Sequence, residues 1–367
     1  MQCAAVLLAL VAAFGTALPA AAQSDPRTAL LERAGWDAIA AGQLDVAAEA
    51  FRQAVAADPR NPQLHLGVAT VAVMQHRDDD ARGALEKALA IDPKLARARA
   101  LMGAVLYRTG DLPGAIRVFE ALTADLPDER EVRSTLDRWR RELELQQRMR
   151  QQVGDHFVVS FEGPAEEALA AKALESLDRA YWRIGAVLNV YPNTAIPVVL
   201  YTTQQFRDIT RSPEWAAGAY DGTIRVPMRG ALDEEKELDR VLSHEFAHAL
   251  IRTLSTAAVP TWLNEGVATA LESDDLGWAE QRVAHAKPVR LAVLSTSFSR
   301  FTGAQAQLAY ATSALAVRRM LREAGGFAVA NLIRDLGAGV DFDRAFAHRM
   351  QRSFEEFQSS PEAASAQ

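Results

Sequence analysis

The chain predicts an α+β fold in which a helical repeat array precedes a small sheet and a helix bundle. Three observations predict it. One spacing of 34 residues recurs at four separate positions in the first third. From Phe157 apolar residues alternate with polar ones and then form the run Ile196 to Tyr201, which is strand patterning. After Leu232 the apolar period is helical throughout.

At 367 residues the chain is long enough for two or three compact units of roughly 150 residues each. Its 49% hydrophobic and 24% charged residues are globular composition, so most of it is expected to fold. Lysines and arginines are scattered and the net charge is -7, which argues against a nucleic-acid partner.

Residues 1–22 read as a signal peptide: an apolar run from Ala4 to Leu18, a break at Pro19, and small residues at Ala20 and Ala22 suited to cleavage after Ala22. No Lys or Arg precedes that run, so retention as a membrane anchor is the alternative. Cys3 is the only cysteine and lies in the leader, which excludes disulfides and cysteine metal sites from the mature chain. The expected location is periplasmic or secreted, in a bacterium, with no membrane contact after cleavage. No later stretch is apolar enough to span a bilayer.

Residues 24–127 carry the repeat. Pro59, Pro93 and Pro127 lie 34 apart, as do Ala47, Ala81 and Ala115, then Phe51, Leu85 and Phe119, then Gly42, His76 and Gly110 at the turns. Each unit reads as a helix hairpin in which a small residue lets the helices approach, a large one fills the gap, and proline stops the second helix. The pattern resembles the tetratricopeptide repeat family. Gly35 and Gly103 stand at its close-packing position, with Ala69 in the second unit. The family's spacing implies a concave face presenting Trp36, Met74, Tyr107 and Arg108 to a protein partner. Packing of Trp36 and Tyr107 between helices is the competing reading. Residues 128–152 read as a charged helix with Val132, Leu136, Trp139 and Leu143 on one stripe, capping the array and linking it onward.

The second domain is expected over 153–357, with a disordered tail at 358–367. Phe157, Val159 and Phe161 alternate as a half-buried strand, Ala165 to Leu188 forms a long helix, IPVVLY at Ile196 to Tyr201 a buried strand, and Ala219 to Val226 strands about a turn at Asp221 and Gly222.

The chemistry-bearing segment is KELDRVLSHEFAHALIRTL. In an α-helix His244 and His248 differ by only about 40°, so both imidazoles reach one cation. Glu245 is offset by about a quarter turn, which keeps it off the metal but near a bound water whose proton it accepts. After a break at Ser255 to Pro260, TWLNEGVATAL forms a helix presenting Glu265 with sixteen residues intervening after His248. A carboxylate there is the third protein ligand and leaves a fourth position open. His65, His76, His156 and His348 lack metal-ligand spacing, and Asn264 reads as a capping or orienting residue.

Together HEFAH, PTWLNEGVA at Pro260 to Ala268, and AYATSALAVRRML at Ala309 to Leu321 resemble the gluzincin metallopeptidases, specifically the peptidase MA-like group. The resemblance covers Gly154 to Phe357. It implies Zn2+ on His244, His248 and Glu265, and peptide or protein substrate aligned by the strand at Ile224 to Pro227. It also implies a role for Tyr310 as hydrogen-bond donor to an oxyanion, with Tyr220 and His285 as rivals. Other gluzincins place an acidic residue one turn after the glutamate ligand, where this chain has Thr269. The resulting expectation is an exported zinc metallopeptidase, with Glu245 and Tyr310 as its catalytic residues. The alternatives are a catalytically inactive tetratricopeptide adaptor with a relic zinc site, and a zinc-stabilised structural domain.

Overall fold

The structure, a computed structural model, describes residues 25–359 except 76, 164–166, 203–204, 206–218, 221, 228–234, 256, 258, 288, 296–297 and 299–300. The expected leader with Cys3, the turn residues His76 and Asp221, the start of the long helix at Ala165, and the tail beyond Ser359 lie outside them. The chain divides into two compact units between Gln147 and Arg148.

In the first unit six helices form three hairpins: α1 (Pro26–Ala40) with α2 (Leu44–Ala57), α3 (Pro62–Met74) with α4 (Asp78–Ile91), and α5 (Ala96–Arg108) with α6 (Leu112–Asp125). Their starts are written locally. Asp25, Asn61 and Asp111 accept backbone N–H groups of α1, α3 and α6, and each of these helices has proline in its first turn. Gly42 and Gly110 take φ of 73° and 89° at the hairpin turns, where a side chain would be strained.

The 34-residue register is a burial register. Ala47, Ala81 and Ala115 are fully buried, and so are Phe51, Leu85 and Phe119. At Gly103 a Cβ would lie 2.4 Å from the Phe119 ring, so only glycine lets α5 and α6 approach around that ring.

Helix α7 (Arg130–Arg148) buries Val132, Leu136 and Trp139 against the third hairpin. It ends earlier than expected. Residues 150–152, read from sequence as the end of this helix, form strand β1 (Arg150–Val153) together with Val153, because their backbone pairs with β2 (Phe157–Phe161) in the sheet.

Three of the four residues expected on the open face are committed elsewhere. Trp36 sets its ring edge on Phe51 at 5.2 Å, and Arg108 pairs with Asp78. Tyr107 stacks on Trp139 at 5.0 Å and donates its hydroxyl to Glu142 Oε2 at 2.8 Å. The reason is α7, whose Trp139 and Glu142 offer Tyr107 an aromatic surface and a buried acceptor. Met74 is half-buried.

In the second unit a five-stranded mixed sheet has the order β1-β2-β3-β5-β4, with β3 at Ile196–Tyr201, β4 at Ala219–Tyr220 and β5 at Ile224–Pro227. The central pairs β2/β3 and β3/β5 are parallel, and both outer pairs are antiparallel. Phe157, Val159, Phe161, Val198, Leu200, Ile224 and Val226 join one core with α8 (Glu167–Leu188) and α9 (Glu235–Leu254).

The rest is helical: α10 (Thr261–Glu272), α11 (Gly277–Ala284), a short 3₁₀ turn at Leu291–Ser295, α12 (Gly303–Ala324), α13 (Gly326–Gly337), α14 (Phe342–Met350) and α15 (Phe354–Ser359). Gln358 and Ser359, expected in the disordered tail, thus belong to a helix, where Phe357 anchors the turn in the core. Among the described residues no helix is long and apolar enough to cross a membrane.

Candidate metal centre

Two helices bring the ligands together. Helix α9 lies on the core through Leu242, Phe246 and Leu250, which turns His244 and His248 to one side, one turn apart. Helix α10 is fixed from several directions. Trp262 is buried and stacks on Phe354 at 5.6 Å. A Cβ at Gly266 would lie 2.6 Å from the Ser313 carbonyl of α12, so this glycine sets how closely α10 can seat. Arg318 donates to the carbonyls of Ala270 and Ser273, closing the C-terminal end of α10 with a positive charge.

Among the described residues, His244, His248 and Glu265 are the one group suited to a metal ion, with ligand atoms all within 4.8 Å of one another. The two Nε2 atoms lie 3.2 Å apart, and each lies 3.6 Å from Glu265 Oε2. Ligands about 2.0–2.1 Å from a tetrahedral Zn2+ stand about 3.3–3.4 Å apart, so these edges fit such an ion.

The imidazole tautomers agree with that fit. His244 Nδ1 lies 2.7 Å from Glu272 Oε2, and His248 Nδ1 lies 2.8 Å from Asn264 Oδ1. An ionised carboxylate and an amide oxygen only accept, so both rings donate from Nδ1. Both Nε2 lone pairs then converge on one point, which requires a proton or a cation there.

The site's charges follow from its burial. Burial opposes a charged His244, but Glu265 and Glu272 overcome it and push the ring up to about 10 in the absence of metal. For Glu265 burial acts upward, yet the two histidines hold it well below the usual carboxylate range. Glu245 is raised chiefly by burial, and its Oε2 has no hydrogen-bond partner among the described residues. Tyr310 is raised by burial and then by Glu265, to which its hydroxyl is hydrogen-bonded, so it stays protonated. Its ring lies 6.4 Å from that of His244. A cleft of about 940 Å³ opens beside these groups, lined by Arg240, His244, Glu245, Trp278, Arg282 and Tyr310 among others.

His285 Nδ1 contacts the Gln281 carbonyl in the cleft wall, and Tyr220 packs on the core. His65 contacts the Pro59 carbonyl, and His156 stacks on Tyr181 beside Asp178. Thr269 is buried with its hydroxyl unpartnered among the described residues. Glu272 was not read from the sequence. Its signal is its position seven residues after Glu265, two turns on and within about 20° of the same helix face.

Tetratricopeptide repeat family models match residues 32–96 and 79–138. DnaJ protein P58IPK homolog B and homolog A of Oryza sativa subsp. japonica are each 28% identical over 202 residues, 54% of this chain and 40% of theirs. The chain therefore spans less than half the length of the curated relatives it matches. Among solved structures, the first TPR of Spaghetti (RPAP3) bound to the HSP90 peptide SRMEEVD is 21% identical, over 33% of this chain and 96% of that one, with a TM-score of 0.32. The Sgt2 TPR domain from Aspergillus fumigatus is 22% identical, over 38% of this chain and 95% of that one, with a TM-score of 0.33.

The chain thus carries tetratricopeptide repeats. The expectation of a zinc metallopeptidase is corrected by the same findings, because the matching family and the curated relatives are tetratricopeptide and DnaJ proteins and not metallopeptidases. The physical lesson is that a helix with His-Glu-x-x-His fixes where ligands point, whereas a reaction does not follow from ligand geometry alone. The catalytic assignments of Glu245 and Tyr310 rested on that expectation and go with it.

Proposed function

We propose that this chain is a protein-binding adaptor, with a tetratricopeptide unit that docks a partner and a second unit that holds one Zn2+ on His244, His248 and Glu265. The observation that carries the adaptor reading is the unbroken burial register of the three hairpins. A stacked array of this kind presents successive first helices as one extended surface, and a peptide segment of another protein fits such a surface. The family matches and the likeness to DnaJ proteins support it.

The metal reading is supported by the two converging lone pairs and by edges of 3.2 and 3.6 Å between ligand atoms. Two imidazoles and a carboxylate are a donor set suited to Zn2+. Bound there, the ion supplies a cross-link between α9 and α10, so its binding free energy contributes to the stability of that unit.

Panning a random peptide library against the full chain tests the adaptor reading. The expected result is a peptide consensus whose binding is lost in Gly103→Leu, which forces α5 from α6, and kept in His248→Ala. No enrichment over a repeat-free control protein contradicts it. The same library incubated with zinc-loaded chain is expected to stay intact, and cleavage suppressed by a chelator also contradicts it.

A further inference from the structure

The geometry points to Glu272 as the residue that positions His244 for the metal, with Arg240 holding Glu272 in place. The inference rests on the proposed metal reading of His244, His248 and Glu265.

The Glu272 side chain is only 4% exposed, yet both its oxygens are engaged. Oε2 faces His244 Nδ1 at 2.7 Å, and Oε1 accepts from Arg240 Nη1 at 3.0 Å. Arg240 is itself anchored by a two-pronged pair with Glu237, at 2.8 Å through Nε and 2.6 Å through Nη2. A carboxylate buried this deeply without partners would carry a large desolvation cost, so the arrangement exists as a connected set.

An ionised carboxylate at Nδ1 does two things to an imidazole. It forces the proton onto Nδ1, which leaves the Nε2 lone pair for a metal, and it makes that lone pair more basic. His248 has a neutral amide, Asn264, in the same place. The two imidazoles are therefore unequal ligands, with His244 the stronger donor. Thr269, one turn nearer to Glu265, makes no hydrogen bond among the described residues and does not share the task. Helix α10 supplies both a ligand and the group that aims another ligand, on nearly one face.

The test uses full-length chain, with Zn2+ affinity measured against a chromophoric chelator and the Co2+ visible spectrum as a report of ligand geometry. Wild type is expected to bind one Zn2+ and His248→Ala none. Glu272→Gln is expected to weaken Zn2+ binding about 10- to 100-fold and to alter the Co2+ spectrum. Thr269→Ala is expected to change neither.

Wild-type affinity and an unchanged Co2+ spectrum in Glu272→Gln overturn the role of Glu272 while the metal reading stands. Absence of binding by wild type, or wild-type binding by His248→Ala, overturns the metal reading and the inference with it. Should circular dichroism show Glu272→Gln unfolded, Arg240→Met decides, since it keeps the carboxylate and removes its anchor. Weaker zinc binding with an altered spectrum supports the inference, and wild-type behaviour overturns it.

Discussion

At His244 burial and charge oppose each other. Burial favours the neutral ring, Glu265 and Glu272 favour the charged one, and they push it up from 6.5 to about 10. A group that holds its proton more tightly folded than unfolded stabilises the fold fully below its ordinary value, and that contribution fades as pH rises through the folded value. Metal-free protein is therefore expected to lose stability in denaturant titrations between about pH 7 and pH 10. Zinc-saturated protein, whose His244 Nε2 holds the metal in place of a proton, is expected not to. For the same reason zinc binding at pH 7 is expected to release at least one proton, seen as a dependence of the calorimetric heat on buffer ionisation enthalpy. Equal heats in phosphate and Tris contradict this. At this scale the sequence was legible where helix geometry alone decides, as for His244 and His248. Glu272 was not legible because the position one turn beyond Glu265 holds Thr269, and the carboxylate that meets His244 lies a further turn along the helix. The open-face roles of Trp36 and Tyr107 failed because periodicity marks an aromatic residue without naming the helix that covers it.

Two helix contacts determine whether the units form as described. Phe119 fills the space between α5 and α6 and touches Trp139 at a ring distance of 4.4 Å. Phe119→Ala is expected to destabilise the repeat unit by about 3–5 kcal/mol in urea titrations followed by circular dichroism. A loss under 1 kcal/mol would mean the hairpins are not packed around this ring. In the second unit Gly266 controls the approach of α10 to α12. Gly266→Leu is expected to displace Glu265 and weaken zinc binding, with ligands themselves untouched. Unchanged affinity would show that seating of α10 does not matter. The repeat hairpins were legible because one period governs burial at several positions together. The boundary after α7 was not, since Arg150–Val153 is a short polar strand whose structure depends on a partner, β2, several residues downstream.

Each unit has its own core, so each is expected to have its own unfolding transition. On the proposed metal reading zinc binds only the folded form of the second, and at 100 times its Kd it is expected to add about 2.7 kcal/mol to that unit. Scanning calorimetry with and without zinc is expected to move one transition upward and leave the other in place. Function was the least legible property of the whole molecule. The ligand pattern on α9 and α10 resembled a peptidase, while the matches to known proteins are to tetratricopeptide and DnaJ proteins. Ligand geometry is local and readable from spacing, but what the whole chain does depends on partners that spacing does not encode.

The most direct measurement is the zinc content of purified full-length chain after exhaustive dialysis, set beside His248→Ala and Glu265→Ala. About one zinc per chain in wild type and close to none in either variant is the predicted result. No zinc in wild type, or equal zinc in all three, would contradict a centre made by His244, His248 and Glu265.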